Sequence, residues 1–407
     1  MRRNLRLCLT LSVIALTALV LRPCTVHAQS AQFPSAACQP SILRLKLVQP
    51  SAGWVIIGAA GGDDCAAQHI YWTENNGESW RDITPHYMPT RKIGQVFFLD
   101  RLHGWMLSTD ALADQENTRF YLLSTRDGGK HWRTLMLQRP MFKLMDNYYF
   151  PTQLFFSDFR HGWMLWRWHL MNGSLDALLA TADGGQTWKR LADPPGRGPA
   201  QFLSASDGWM IGGPEDREGM DPDDIQLWIT HDGGMNWNPL RIPIPLSKDS
   251  SEEMPSPYLT AFKFKNMDEG VVIAQEQLGP RLFRVSTCRT RDGGKSWQTS
   301  QFDAYHARAF FGSNHIFWEI ADRAEYDRRG SVKPPEFMFQ MDSDPIPFTF
   351  PSGVSSESRV FDIDFVDDSN GWASIVGAGQ GRLIATTDGG KTFKLMPSPV
   401  AQPLSLH

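Results

Sequence analysis

Cysteine is scarce in this chain, 5 in 407 residues, and charge of neither sign dominates, the formal net charge being −4. That balance excludes a global attraction to nucleic acid or to an anionic membrane. Beyond the N-terminal segment no run is apolar for long enough to span a bilayer. No long window keeps a 3.6-residue apolar period between turn signals, so helix is expected to be almost absent. The common chemical signatures are missing as well. The 11 histidines show no metal-ligand spacing such as His-x-x-x-His beside an acid. Gly294-Lys295-Ser296 and Gly390-Lys391-Thr392 resemble the end of a phosphate loop, but Arg289 and Ala385 stand where that loop needs glycine. No Gly-x-Ser-x-Gly elbow is present. Neither a cofactor nor a metal is expected.

What is present begins with a basic start, Met1 to Arg6, an apolar run from Leu7 to Leu21, and small residues around Ala28. Residues 1–28 read as a secretory signal, leaving an exported chain, periplasmic or extracellular, with no membrane insertion after cleavage. Cys38, Cys65 and Cys288 survive that cleavage. In an oxidising compartment the odd count reads as one bridge and one buried thiol, with Cys38 and Cys65 the preferred local pair. Fifteen Trp and 24 Phe against 21% charged residues indicate a well-filled core.

The phrase Thr-x-Asp-Gly-Gly-x-x-Trp recurs roughly every 50 residues, the spacing of a repeat architecture. Its turn positions are Asp127, Asp183, Asp232, Asp292 and Asp388, the last copy ending in Phe393, with a looser copy at Asn75. Asp-Gly between apolar runs is a tight-hairpin signal, because glycine accepts positive φ and the carboxylate can bind downstream N–H groups. A catalytic carboxylate is not needed six times, so these aspartates read as structural. Upstream of each copy lies a second repeat, an apolar strand, a polar turn and Gly-Trp, as in Phe97 to Trp105 and Phe155 to Trp163. The gap between Asp292 and Asp388 is about double and holds a degenerate unit whose turn falls at Asp342. Four short antiparallel strands per unit make a propeller blade. The expected fold is all-β: a seven-bladed β-propeller of four-stranded antiparallel blades over 43–399, with the blade at about 306–350 degenerate. A segment at 29–42 precedes it and a tail at 400–407 follows.

Strand alternation puts both repeated motifs on one face and the variable loops on the other, where binding residues concentrate. The loop around Met145, Tyr148 and Tyr149 reads either as a contact patch or as a loop folded onto a blade edge. The acidic loop 213–224 reads either as an oxygen-rich Ca²⁺ site or as a solvated loop. Inner strands alternate apolar and charged residues at Arg44, Lys46, Lys263 and Lys265, and at Asp362 and Asp364. With Arg308, the cations form either a basic channel mouth that attracts a carboxylate or acidic peptide end, or ion pairs around the ring with those two acids.

The Asp turns resemble the Asp-box (BNR) repeat of sialidases, some endoglucanases and sortilin-type receptors. Their pairing with Gly-Trp turns is most similar to the photosystem II stability and assembly factor-like propellers. That resemblance implies a non-enzymatic scaffold for a protein or peptide partner, in some members a membrane protein, and a monomer is expected. The sialidase likeness implies the alternative, a glycoside hydrolase or carbohydrate-binding propeller. Its Arg-Ile-Pro motif occurs at Arg241-Ile242-Pro243, but after the fourth Asp turn, on or beyond an outer strand.

Overall fold

The computed structural model describes residues 40–59, 68–86, 93–109, 120–137, 149–170, 173–212 except 192 and 197, 226–245, 257–279, 282–312, 315–321, 336–340, and 346–399 except 348, 356, 357, 378 and 379. Among the described residues there is no helix, and the strands form seven four-stranded antiparallel sheets, each from one consecutive stretch of chain. These are blade 1 (40–82), blade 2 (93–137), blade 3 (149–190), blade 4 (200–240), blade 5 (258–304), blade 6 (306–347) and blade 7 (359–396). First strands lie innermost, those of blades 1 and 7, 2 and 3, 3 and 4, and 6 and 7 against one another. Blades 1 and 7 keep their own four strands, so none is exchanged at the ring junction among the described residues.

Consecutive blades are joined by apolar clusters, because each sheet has two faces to bury. Trp54 and Ile56 of blade 1 meet Ile93 and Met106 of blade 2. Trp163 and Leu165 of blade 3 meet Phe202 and Met210 of blade 4. Equivalent clusters join blades 2 and 3, 4 and 5, 5 and 6, and 6 and 7. Ile42, Leu45 and Leu47 of blade 1 meet Trp372 and Leu383 of blade 7, and that contact closes the ring.

The Gly-Trp repeat builds these junctions. Phe98 lies over Gly104 of its own blade, where a Cβ would come 2.5 Å from the ring. Trp105 then stacks on Phe156 of the next blade at 3.7 Å, Trp163 on Phe202 at 4.0 Å, and Trp209 on Phe264 at 4.1 Å. An aromatic ring buries roughly 150–250 Å², so at about 25 cal/mol per Å² each junction gains several kcal/mol before entropy is counted. The indole N–H adds a latch: Trp105 Nε1 donates to Gly184 O at 2.9 Å and Trp163 Nε1 to Gly233 O at 2.9 Å. Trp209 Nε1, the next in the series, has no acceptor among the described residues.

The Asp turns pin the same rim. Thr125 Oγ1 donates to Asp127 Oδ1 at 2.9 Å and accepts the Gly129 N–H at 2.8 Å, while His131 N–H donates to Asp127 Oδ1 at 2.9 Å. The pattern repeats at Asp183, Asp232, Asp292 and Asp388. At Asn75 the amide oxygen accepts the Ser79 N–H at 3.0 Å, and Asn76 takes a φ of 51°, which asparagine tolerates better than most residues. A further bond ties each turn to the Gly-Trp turn beside it, as from Gly128 N–H to Leu102 O at 3.0 Å and Gly184 N–H to Arg160 O at 2.9 Å. Asp342, the seventh turn position, lies outside the described residues.

Candidate functional site: the charged layers of the central channel

Strand register stacks the inner-strand residues in layers. Opposite the second residue of each Gly-Trp pair, or its replacement, stand Lys46, Phe97, Phe155, Gln201, Lys263, Phe310 and Asp364. Directly opposed residues share a sheet face, so these seven occupy one level, each on the side of its sheet that meets the next blade. Two residues earlier stand Arg44, Gln153, Ala261, Arg308 and Asp362.

Apart from Lys46, which turns back to Asp364 of blade 7, the polar members of both layers bind the free inner edge of the following blade. Gln153 Oε1 accepts the Ala200 N–H at 3.0 Å. Gln201 accepts the Phe264 N–H at 2.9 Å and donates to Phe264 O at 2.8 Å. Lys263 Nζ donates to Gly312 O at 3.1 Å, and Arg308 to Phe361 O at 3.2 Å. At the ring junction Asp362 accepts Leu45 N–H at 3.2 Å, and Asp364 accepts Leu47 N–H at 2.8 Å. Arg44 completes the series, donating to Ile93 O at 3.0 Å and to Gly94 O at 2.5 Å. An inner strand has an unpaired edge, and these side chains satisfy its backbone groups one blade at a time.

Electrostatics set the layers apart from the rims. Lys46 and Asp364 form an ion pair at 2.5 Å, with 52% of the lysine side chain but only 10% of the aspartate open to solvent. Desolvation works to lower the Lys46 pKa, yet the Asp364 and Asp362 carboxylates outweigh it and hold the ammonium above its usual range. Burial pushes Asp362 up, with the Asp364 charge acting the same way against the Leu45 N–H and Lys46. Burial lowers Arg44 against the attraction of Asp362. Lys263, also desolvated and sensing the Lys46 cation, falls to about 8 despite Asp364. The Asp turns behave in the opposite way. The His131 backbone N–H leads in holding Asp127 at about 2, and the Ser296 hydroxyl leads in holding Asp292 at about 2. Carboxyls that acidic stay ionised at working pH and cannot act as general acids.

The placement of the sequence-derived candidates is uneven. Arg44, Lys46, Lys263 and Arg308 do line the inner strands. Lys46 and Lys263 sit close to the strand ends that run into the Gly-Trp turns, not at the loop mouth. Lys265 corrects the reading further: it lies past its strand, in the turn rim, where it reaches Asp368 of blade 7 at 3.4 Å across blade 6. The turn of blade 6 is one residue shorter than that of blade 2, closing through Gly312 N–H to His315 O where blade 2 closes through Leu99 N–H to His103 O. Tyr149 begins the inner strand of blade 3. Met145, Tyr148, the loop 213–224, Cys38 and Cys65 lie outside the described residues, and Cys288 is a buried free thiol. Arg241-Ile242-Pro243 follows the outer strand Asn238–Leu240. Gln153 and Gln201 escaped sequence reading, because glutamine carries no charge alternation. Aligning each inner strand on its Gly-Trp turn places Gln201 at the Lys46 position.

No family model and no curated protein matches this chain. Among solved structures it is similar to the β-propeller domain of the Trilobed protease from Pyrococcus furiosus, with 8% identity over 89% of this chain and 99% of that one and a TM-score of 0.52. It is also similar to YCF48 bound to D1 peptide, with 17% identity, 76% and 82% of the two chains covered and a TM-score of 0.45. A third similarity is to the Hadza microbial sialidase Hz136, with 12% identity, 69% and 63% covered and a TM-score of 0.40. What is shared at such identities is the fold. The chain is a β-propeller with four-stranded antiparallel blades.

Proposed function

We propose that this chain is an exported, non-enzymatic, seven-bladed Asp-box propeller that holds a protein or peptide partner, in the role of an assembly or stability factor. One observation carries the reading: four channel cations, Arg44, Lys46, Lys263 and Arg308, face two channel carboxylates, Asp362 and Asp364. A low-dielectric wall with a cation excess focuses potential on an anionic group entering along the axis, so a carboxylate-bearing chain end or acidic segment fits best. The Asp-turn carboxylates support the same reading, since their bonds to neighbouring N–H groups leave them structural. Phe361, half exposed on an inner strand at a bulge, gives the partner an apolar contact beside those charges.

A photo-crosslinking phenylalanine analogue at position 361 tests this in envelope extracts. A discrete partner should be recovered from position 361 and not from the exposed outer-strand position 136, and recovery should fall as salt rises. Equal capture from both positions, or turnover of chromogenic glycosides by the purified protein, would overturn it.

A further inference from the structure

The turn rim differs from blade to blade in what it exposes. Leu102 and Phe159, in the Gly-Trp turns of blades 2 and 3, and Met235, in the Asp turn of blade 4, are 52%, 62% and 54% exposed. They are three of the six large apolar side chains exposed among the described residues, so the exposure is concentrated on consecutive blades of one rim. The turns that carry them are joined in series. Gly128 N–H donates to Leu102 O at 3.0 Å. Trp105 Nε1 of blade 2 donates to Gly184 O of blade 3, and the Gly184 N–H binds Arg160 O beside Phe159. Trp163 Nε1 then donates to Gly233 O, two residues before Met235. An arc pinned in this way has little conformational freedom left to lose on binding.

Charge on the arc is layered. Asp100 Oδ1 accepts the Leu102 and His103 N–H groups, both at 2.7 Å, and Asp158 Oδ1 accepts those of Arg160 and His161 at 2.7 and 2.8 Å. With Asp127 and Asp183 bound in their own turns, these four carboxylates are recessed and half-buried. Arg101, Arg126, Lys130 and Arg160 stand exposed beside them and make no ion pair among the described residues; Arg101 reaches Gln49 and Arg160 reaches Ala182 O. Blade 1, on one flank, exposes Glu74 and Glu78 instead, which ends the cationic stretch on that side.

We propose that this arc of the turn rim docks on the surface of an anionic phospholipid bilayer. The three apolar side chains dip into the boundary between headgroups and acyl chains, and the four cations lie over the phosphates. Outward cations above recessed acids complement an anionic surface. Apolar side chains borne singly on separate turn tips suit a deformable interface, whereas a peptide site would gather them into one concavity. The chain's small net negative charge does not oppose this, because screening confines the interaction to groups within about 10 Å of the headgroups. The arc lies on the rim away from the variable loops, so it stands independently of a partner held at the channel.

The test is co-sedimentation of the full mature protein with vesicles of phosphatidylglycerol and phosphatidylcholine in equal parts, against vesicles of phosphatidylcholine alone. Binding should require the anionic lipid and weaken as salt rises. Phe159→Ser should weaken it about tenfold, as the loss of one partly buried aromatic ring implies. Reversing two charges together, Arg126→Glu with Lys130→Glu, should weaken it at least as much. Met136→Ser, an exposed apolar side chain on the outer strand of blade 2, should bind as wild type does, with all variants folded by circular dichroism. Crosslinking from position 361 should be unchanged in Phe159→Ser, which separates this surface from the channel. Equal binding to both kinds of vesicle, or an equal loss from Met136→Ser and Phe159→Ser, would overturn the proposal. So would failure to bind either vesicle while a crosslinker at position 159 captures a discrete protein, which would assign the arc to a protein partner.

Discussion

Asp364 of the last blade holds two groups of the first: the Lys46 ammonium at 2.5 Å and the Leu47 N–H at 2.8 Å. Since neither blade lends a strand to the other, the junction rests on side chains. Trp80 Nε1 donating to Pro397 O at 3.0 Å and Trp372 Nε1 donating to Asn76 Oδ1 at 3.1 Å complete it from the turn rim. The same residue thus neutralises a channel cation and closes the ring.

Removing that carboxylate is expected to hurt more than removing its partner. Asp364→Ala leaves a lysine without its counterion and a backbone N–H without an acceptor, at a cost of about 1–3 kcal/mol after discounting for the exposed lysine. Lys46→Met should cost less, because Asp364 keeps the Leu47 N–H. Urea denaturation of both single variants and the double variant checks this. A double variant whose loss equals the sum of the single losses would show that the ion pair contributes nothing.

Gly184 has a φ of +76°, and a Cβ there would come 2.8 Å from Phe159 O. Gly184→Ala is expected to destabilise by about 1–3 kcal/mol through combined strain and overlap. Gly353, at +86° with its nearest neighbour at 3.4 Å, should lose less when changed to Ala. Thermal melts of the two variants give the comparison, and partner capture should be unchanged in both.

The indole latches allow a matched pair. Trp105→Phe gives up a hydrogen bond to Gly184 O, worth about 1 kcal/mol, along with some stacking area. Trp209→Phe gives up the same area but no hydrogen bond, since its Nε1 has no acceptor among the described residues. The first variant should therefore melt lower than the second.

Acid should loosen the turn rim. Asp127, Asp207 and Asp292 are each held at about 2 by donated hydrogen bonds, against an unfolded value of about 3.9. Because the folded value is the lower one, their stabilisation is complete above about pH 4 and fades as the pH falls toward 2. Denaturation midpoints recorded from pH 6 to 2 should drop over that window, and Asp127→Asn should flatten the drop.

Lys263 works at the other end of the scale. Its folded value, about 8, lies below the usual lysine value, so the charged form burdens the fold below pH 8 and the burden lifts as pH rises toward 10.5. Wild type should gain stability relative to Lys263→Met across that interval, as followed by urea midpoints at pH 7, 9 and 10.

The sequence by itself determined the blade. Glycine at a positive-φ turn, aspartate beside it and threonine two residues before form a local circuit, and local circuits can be read from spacing. The phase of the Gly-Trp repeat likewise fixed which residue of each inner strand faces the next blade. Tertiary structure alone decided what the channel charges do. Asp364 and Lys46 are 318 residues apart along the chain, and Lys265 and Asp368, from blades 5 and 7, are 103 residues apart. Whether such charges attract a ligand or satisfy a neighbouring strand depends on which backbone edge the ring presents to them, and no spacing rule carries that information.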